Sequence, residues 1–111
     1  MASSSPHRGE VVAVRGSRDA AGREQKGTRP AVVLQSDRAQ WLGTVVVAPT
    51  STSAQPAEFR PVVTVRGRTT RVLLDQLKTV DRTRVGRSSG HLPASELRQV
   101  EDALKLLLGL F

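Results

Sequence analysis

A chain of 111 residues with a net charge of +7, no cysteine and two histidines is long enough for one domain with one modest core and too short for two. Without thiols it has neither a disulfide framework nor a thiolate metal centre, and His7 and His91 are too few and too far apart in the chain for a zinc site. Seventeen Lys and Arg stand against ten Asp and Glu, and residues 60–87 alone hold eight basic and two acidic side chains, so a polyanion is the first partner to consider and a solvated basic surface the plain alternative.

The start, MASSSPHRGE, has no apolar run fit for a signal peptide. The longest unbroken apolar run, LLLGLF, is far too short to cross a bilayer. A cytoplasmic protein without a membrane segment is expected, with a small, polar, disordered tail over residues 1–7 and a single domain over 8–111.

EVVAV (residues 10–14) and AVVLQ (31–35) read as strands. Between them SRDAAGREQKG is a polar loop with little to bury, expected to change conformation on binding. Pro30 is expected at the first position of the second strand, where its missing N–H costs no ladder bond and its ring holds Arg29 extended.

A third strand is predicted over 44–48, ended by Pro49 and followed by the hydroxyl-rich loop Thr50, Ser51, Thr52, Ser53. RPVVTVRG and TTRVLLDQ make a fourth and fifth strand joined at Gly67. Strands at such short spacing predict a twisted, antiparallel, barrel-like sheet. Leu97, Val100, Leu104 and Leu107 recur at helical spacing between charged residues, which predicts an amphipathic helix from Ala94 laid on that sheet.

Arg29 has two readings. It either pairs on the surface with Glu24 or Asp37, or it clamps an anion, since a guanidinium stays charged and grips two phosphate oxygens at once. Trp41 is either a stacking platform for a base or a lid over the core edge, and the lid is favoured because an indole is worth burying in so apolar-poor a chain. Phe59 fits either role.

The segments RGEVV, EQKGTRPAVVLQ, VVVAPTSTS, VLLDQLKTVDRTRVG and LPASELRQVEDALKLLLGL, in this order over residues 8–110, resemble the MazF/PemK family of toxin endoribonucleases. The resemblance implies a mainly β fold with a C-terminal α-helix, a small SH3-like barrel. It also implies a homodimer, a groove for single-stranded RNA, cleavage without metal or other cofactor, and neutralisation by a MazE-like antitoxin. It assigns Arg29 and Thr50 as catalytic, with Glu24, Gln25, Ser51, Thr52, Arg71, Asp75 and Gln76 expected to bind substrate.

Two positions depart from the family pattern. Arg23 stands where Ser or His often precedes EQ, and Leu73 replaces the arginine that the PemK branch carries two positions before the DQ aspartate. Arg71, two residues away on the same strand face, is a partial substitute for that arginine. Asp75 is read as orienting Arg29, as taking a proton, or as pairing with Lys78 or Arg71. The same barrel also occurs in CcdB, a toxin that binds DNA gyrase and cuts nothing, and an RNA-binding homologue without activity is a third reading.

Overall fold

The computed structural model describes residues 6–16 and 27–110. Glu24, Gln25 and the gating expected of residues 17–26 lie outside the described residues. The chain forms strands β1 (Glu10–Arg15), β2 (Thr28–Val33), β3 (Thr44–Ser51), β4 (Val62–Val65), β5 (Arg68–Val72), β6 (Lys78–Asp81) and β7 (Val85–His91), then helix α1 (Ala94–Leu108). Short 3₁₀ turns occupy Asp37–Ala39, Leu74–Gln76 and Arg82–Arg84.

The strands run in the order β4-β5-β3-β2-β1-β7, with β6 also paired to β3. β6 and β7 thus lie on opposite edges of the β1–β2–β3 layer, yet the turn Arg82–Arg84 joins them directly, so the sheet must curl into a half-barrel. Asp81 caps that turn, accepting from Thr83 N at 2.9 Å and from Thr83 Oγ1 at 2.7 Å.

Both faces of the central layer are covered, which is why its strands read as near-continuous apolar runs rather than as alternating ones. Val12, Val14, Ala31, Val33, Val45, Val47 and Val80 fill the concave side. Val11, Val32 and Ala48 point the other way, into a second cluster with Val63, Val72, Leu74 and Val100. Leu97, Leu104 and Leu107 of α1 pack on this second cluster, as their spacing predicts. Gly109, at φ 72°, ends the helix in a left-handed cap. Glu96 ties the helix to β4 by accepting from Thr64 N at 3.1 Å.

β3 is longer than the sequence predicts, because Pro49 does not end it. In an antiparallel strand a residue's N–H and C=O point to the same edge, and Pro49 O accepts from Leu73 N at 2.8 Å on the edge away from β2. The proline nitrogen therefore faces the point where β3 changes partner, from β6, last paired at Val47↔Lys78, to β5, first paired at Thr50↔Val72. No ladder bond is lost there.

β2 likewise begins at Thr28 and ends at Val33, rather than spanning 31–35, so Pro30 lies inside the strand and not at its first position. Its missing N–H falls on the β3 side, and the β2–β3 ladder stops at Ala31↔Pro49.

β6 and β7 are not predicted from the sequence, for a physical reason. In β6 only Val80 is buried, and in β7 every residue after Val85 is exposed. These strands are held by backbone pairing to β3 and β1 rather than by an apolar face. Trp41 corrects another expectation: it is 80% exposed and covers no core edge, whereas Phe59 packs on the second cluster. Pro6 and His7, expected in a loose tail, are held: Gln40 Nε2 donates to Pro6 O at 3.2 Å, and His7 N donates to Glu10 Oε1 at 2.9 Å.

Candidate functional site

Arg29 is the second residue of β2 and Thr50 the last but one of β3. Antiparallel pairing of the two strands brings these ends together. Thr50 Oγ1 donates to Pro30 O at 3.2 Å, bridging the strands just where the ladder has stopped. Arg29 is exposed and makes no ion pair or side-chain hydrogen bond with another described residue. The surface pairing with Asp37 does not form. Asp37 sits past the far end of β2, where it accepts from Arg8 N at 2.8 Å and faces His7 Nδ1 at 3.5 Å, and these contacts hold its pKa below the ordinary value, the Arg8 N–H contributing most.

Two hollows share Arg29 and Pro30 as a common wall. The wider, about 420 Å³, is lined by Thr50, Ser51, Thr52 and Ser53 at and after the end of β3 and by Val65, Arg66, Arg68 and Thr70 of the β4–β5 hairpin. The narrower, about 110 Å³, opens at the barrel mouth among Arg15, Gln76, Lys78 and Arg84. Arg15 Nη2 donates to Thr83 O at 3.3 Å and Arg84 Nε to Arg15 O at 2.8 Å, so these two arginines tie the end of β1 to the Arg82–Arg84 turn. Among the described residues no carboxylate lines either hollow. A cleft whose described walls carry guanidinium and hydroxyl groups and no negative charge attracts anions. A larger recess, about 760 Å³, lies beside Leu106 and Leu110 at the end of α1 and contains none of these groups.

The expected substrate-binding residues divide. Ser51 and Thr52 line the wider hollow, and Gln76 the narrower. Arg71 and Asp75 line neither. Arg60 grips both Asp75 oxygens, at 3.1 and 2.9 Å, and donates to Gln55 O at 3.1 Å, while Arg71 Nη1 donates to Arg60 O at 2.9 Å. The partner of Asp75 is thus Arg60 rather than Lys78, Arg71 or Arg29. The Arg60 hydrogen bonds lower the Asp75 pKa, which makes this carboxylate a weak base. Leu73 is buried.

Seven of the eight basic residues in 60–87 therefore fall into two groups, Arg87 belonging to neither. Arg60, Arg71 and Arg82 serve the fold, Arg82 by donating to Gln40 O at 2.7 Å and Leu42 O at 3.1 Å. Arg66, Arg68, Lys78 and Arg84 line the two hollows. Sequence reasoning registered the excess without separating these groups, and it passed over Arg15. Among the described residues no group of His, Asp and Glu side chains is placed to hold a metal ion, and no helix is long and apolar enough to cross a membrane.

Residues 7–108 match the family model described as the PemK-like, MazF-like toxin of type II toxin–antitoxin systems. The chain belongs to this family. A Mycobacterium tuberculosis protein named as a candidate toxin is 44% identical over 90 residues, which cover 80% of this chain and 84% of the relative. A MazF of Deinococcus radiodurans is 30% identical and superposes with a TM-score of 0.75 over 94% of this chain and 96% of its own. An endoribonuclease in complex with its cognate antitoxin, from a mycobacterial species, superposes with a TM-score of 0.78 over 96% and 97% of the two chains. At 19% identity that last likeness is one of fold. The half-barrel with a C-terminal helix is thus the MazF-like fold, and Arg29 and Thr50 lie where its β2 and β3 end side by side.

Proposed function

We propose that this MazF-like chain is a sequence-specific endoribonuclease toxin that cuts single-stranded RNA and so inhibits translation and growth. It acts as a homodimer and is neutralised by a MazE-like antitoxin. One observation carries the reading: an arginine without a partner among the described residues and a strand-end threonine share one hollow whose described lining holds hydroxyls and arginines and no carboxylate.

RNA brings its own nucleophile. The 2′-hydroxyl attacks the adjacent phosphorus, the 2′-O–P bond forms, the P–O5′ bond breaks, and the products are a 2′,3′-cyclic phosphate and a 5′-hydroxyl. The attacking hydroxyl loses its proton to solvent and the departing 5′-oxygen gains one. The protein has to align the attack and stabilise charge on the phosphorane oxygens. Arg29 supplies the charge and two directed donors. Because the Thr50 proton is already given to Pro30 O, its oxygen presents lone pairs and accepts from the 2′-hydroxyl, orienting the nucleophile. An intramolecular nucleophile needs no metal-activated water.

The reading is tested by incubating the purified protein with a long single-stranded RNA in EDTA and mapping both fragment ends. Cuts at one short recurring sequence, ending in cyclic phosphate and 5′-hydroxyl, are expected. RNA that is bound but left intact would identify a binding module, and cutting only after a divalent ion is added would overturn the metal-free route.

A further inference from the structure

Among the described residues, Arg66 alone is a non-glycine residue with positive φ, 52°. Val65 pairs with Arg68 around it, and Gly67 follows at φ 76°, so Arg66 and Gly67 form the two-residue left-handed turn of a tight hairpin. Such a turn favours Gly, Asn or Asp at its first position, because a longer side chain in the left-handed region crowds the backbone. An arginine there works against the turn. Its guanidinium makes no ion pair or hydrogen bond with another described residue that would offset the strain. The side chain instead lines the hollow that holds Arg29, Thr50 and Ser51.

A strained position whose side chain has no described partner inside the fold, and which borders the candidate site, is explained by something the side chain meets on binding. We propose that Arg66 binds a backbone phosphate of the RNA next to the one held by Arg29. The bound strand then runs from Arg29 past the Thr50 hydroxyl to the tip of the β4–β5 hairpin. The inference rests on the ribonuclease reading above. Phosphate, rather than a base edge, is the ligand chemistry because a turn-tip arginine beside Arg68, in a hollow without carboxylates among the described residues, forms a stripe of positive charge and not a shaped pocket.

The test uses substitutions that suit the turn better than the native residue. Arg66→Gly and Arg66→Asn relieve the strain, so the melting midpoint rises by roughly 2–6 °C. Binding falls in the same variants. With a fluorescein-labelled 2′-O-methyl oligonucleotide spanning the mapped cut, affinity at low salt drops about fivefold or more, and the slope of log affinity against log salt becomes shallower by roughly 0.7, the loss of one phosphate contact on a single strand. KM for cleavable RNA rises by more than kcat falls, and Arg66→Lys keeps the parent's salt slope.

A more stable Arg66→Gly protein that binds and cuts like the parent would overturn the inference while leaving the ribonuclease reading intact. A less stable one would make Arg66 a structural residue. Weaker binding with an unchanged salt slope would point to a base contact instead and overturn the phosphate assignment. A parent protein that neither cuts nor binds RNA overturns the reading of the site and this inference with it.

Discussion

Thr50 Oγ1 donates to Pro30 O at 3.2 Å, a side-chain bond in the place where the β2–β3 ladder, ended at Ala31↔Pro49, has no backbone bond left to make. Pro30 has no N–H to offer, so a threonine hydroxyl joins the two strand ends and holds its own oxygen beside Arg29. The residue that shortens the ladder is thus the one that opens the hollow.

Arg29→Ala and Thr50→Ala are each expected to slow RNA cleavage by about 10²-fold or more under single-turnover conditions, the usual effect of removing a donor or positioning group at developing charge. The denaturation midpoint of Arg29→Ala should stay at the parent value, since the side chain is exposed and without a partner among the described residues. Thr50→Ala loses one hydrogen bond, worth about 1 kcal/mol. Thr50→Ser keeps the hydroxyl and should retain most activity, whereas Arg29→Lys should be poor because one ammonium does not reproduce the two-point grip. Near-parental cutting by Arg29→Ala would remove it from the site.

The Arg60–Asp75 pair predicts how stability responds to acid. The Asp75 pKa is lowered from its ordinary value of 3.8, chiefly by the Arg60 hydrogen bonds. A depressed carboxylate stabilises the fold above its unfolded pKa and ceases to do so as pH falls through the folded one. Asp75→Asn should therefore show a modest loss of stability that is level at neutral pH, starts to shrink as pH falls through 3.8 and vanishes only below the lowered folded pKa. Urea unfolding of both proteins across the acid range checks this, and a difference that grows in acid would contradict the assignment. Cleavage at neutral pH should fall far less than for Arg29→Ala, because Asp75 lines neither hollow.

Trp41 and Leu74 should respond to truncation in opposite ways. Trp41 is 80% exposed and Leu74 fully buried in the second cluster. Trp41→Ala should change unfolding free energy by less than about 0.5 kcal/mol, while Leu74→Ala should cost about 2–5 kcal/mol through lost burial and a residual cavity. Chemical denaturation of the two variants beside the parent tests the pair. A large loss at Trp41 would show that it is covered in solution, by a second copy of the chain.

Antitoxin neutralisation should weaken as salt rises. The hollows expose Arg29, Arg66, Arg68 and Lys78 with no lining carboxylate among the described residues, so an acidic segment is the complementary partner. Binding measured at about 0.05 and 0.3 M salt should differ severalfold, since screening lengths shorten from more than 10 Å to a few ångströms. Arg68→Glu should weaken it further. Salt-independent neutralisation would place the antitoxin on an apolar face instead.

Much of this was legible from one dimension. The apolar runs around Val12, Val32 and Val47, the three-and-four spacing of Leu97 to Leu107 and the glycine at 67 are local signals, and a strand, a helix face or a tight turn is decided within a few residues of itself. The pairing of Arg29 with Thr50 at one site came from the family resemblance, and the structure shows how β2 and β3 bring the two together. What the linear chain left undecided is whatever depends on which distant segment arrives alongside. β7 has almost no buried face and exists because β1 offers it an edge. Pro49 reads as a strand end until two different neighbours, β6 and β5, are seen to exchange places beside it. Arg60 and Arg66 are the same residue type in the same basic stretch. One is neutralised by Asp75 across a loop and the other stands at a strained hairpin tip facing the hollow. A side chain's charge is a property of the sequence, but whether that charge is used inside the fold or left for a partner is set by tertiary contacts, because the groups that would neutralise it come from elsewhere in the chain.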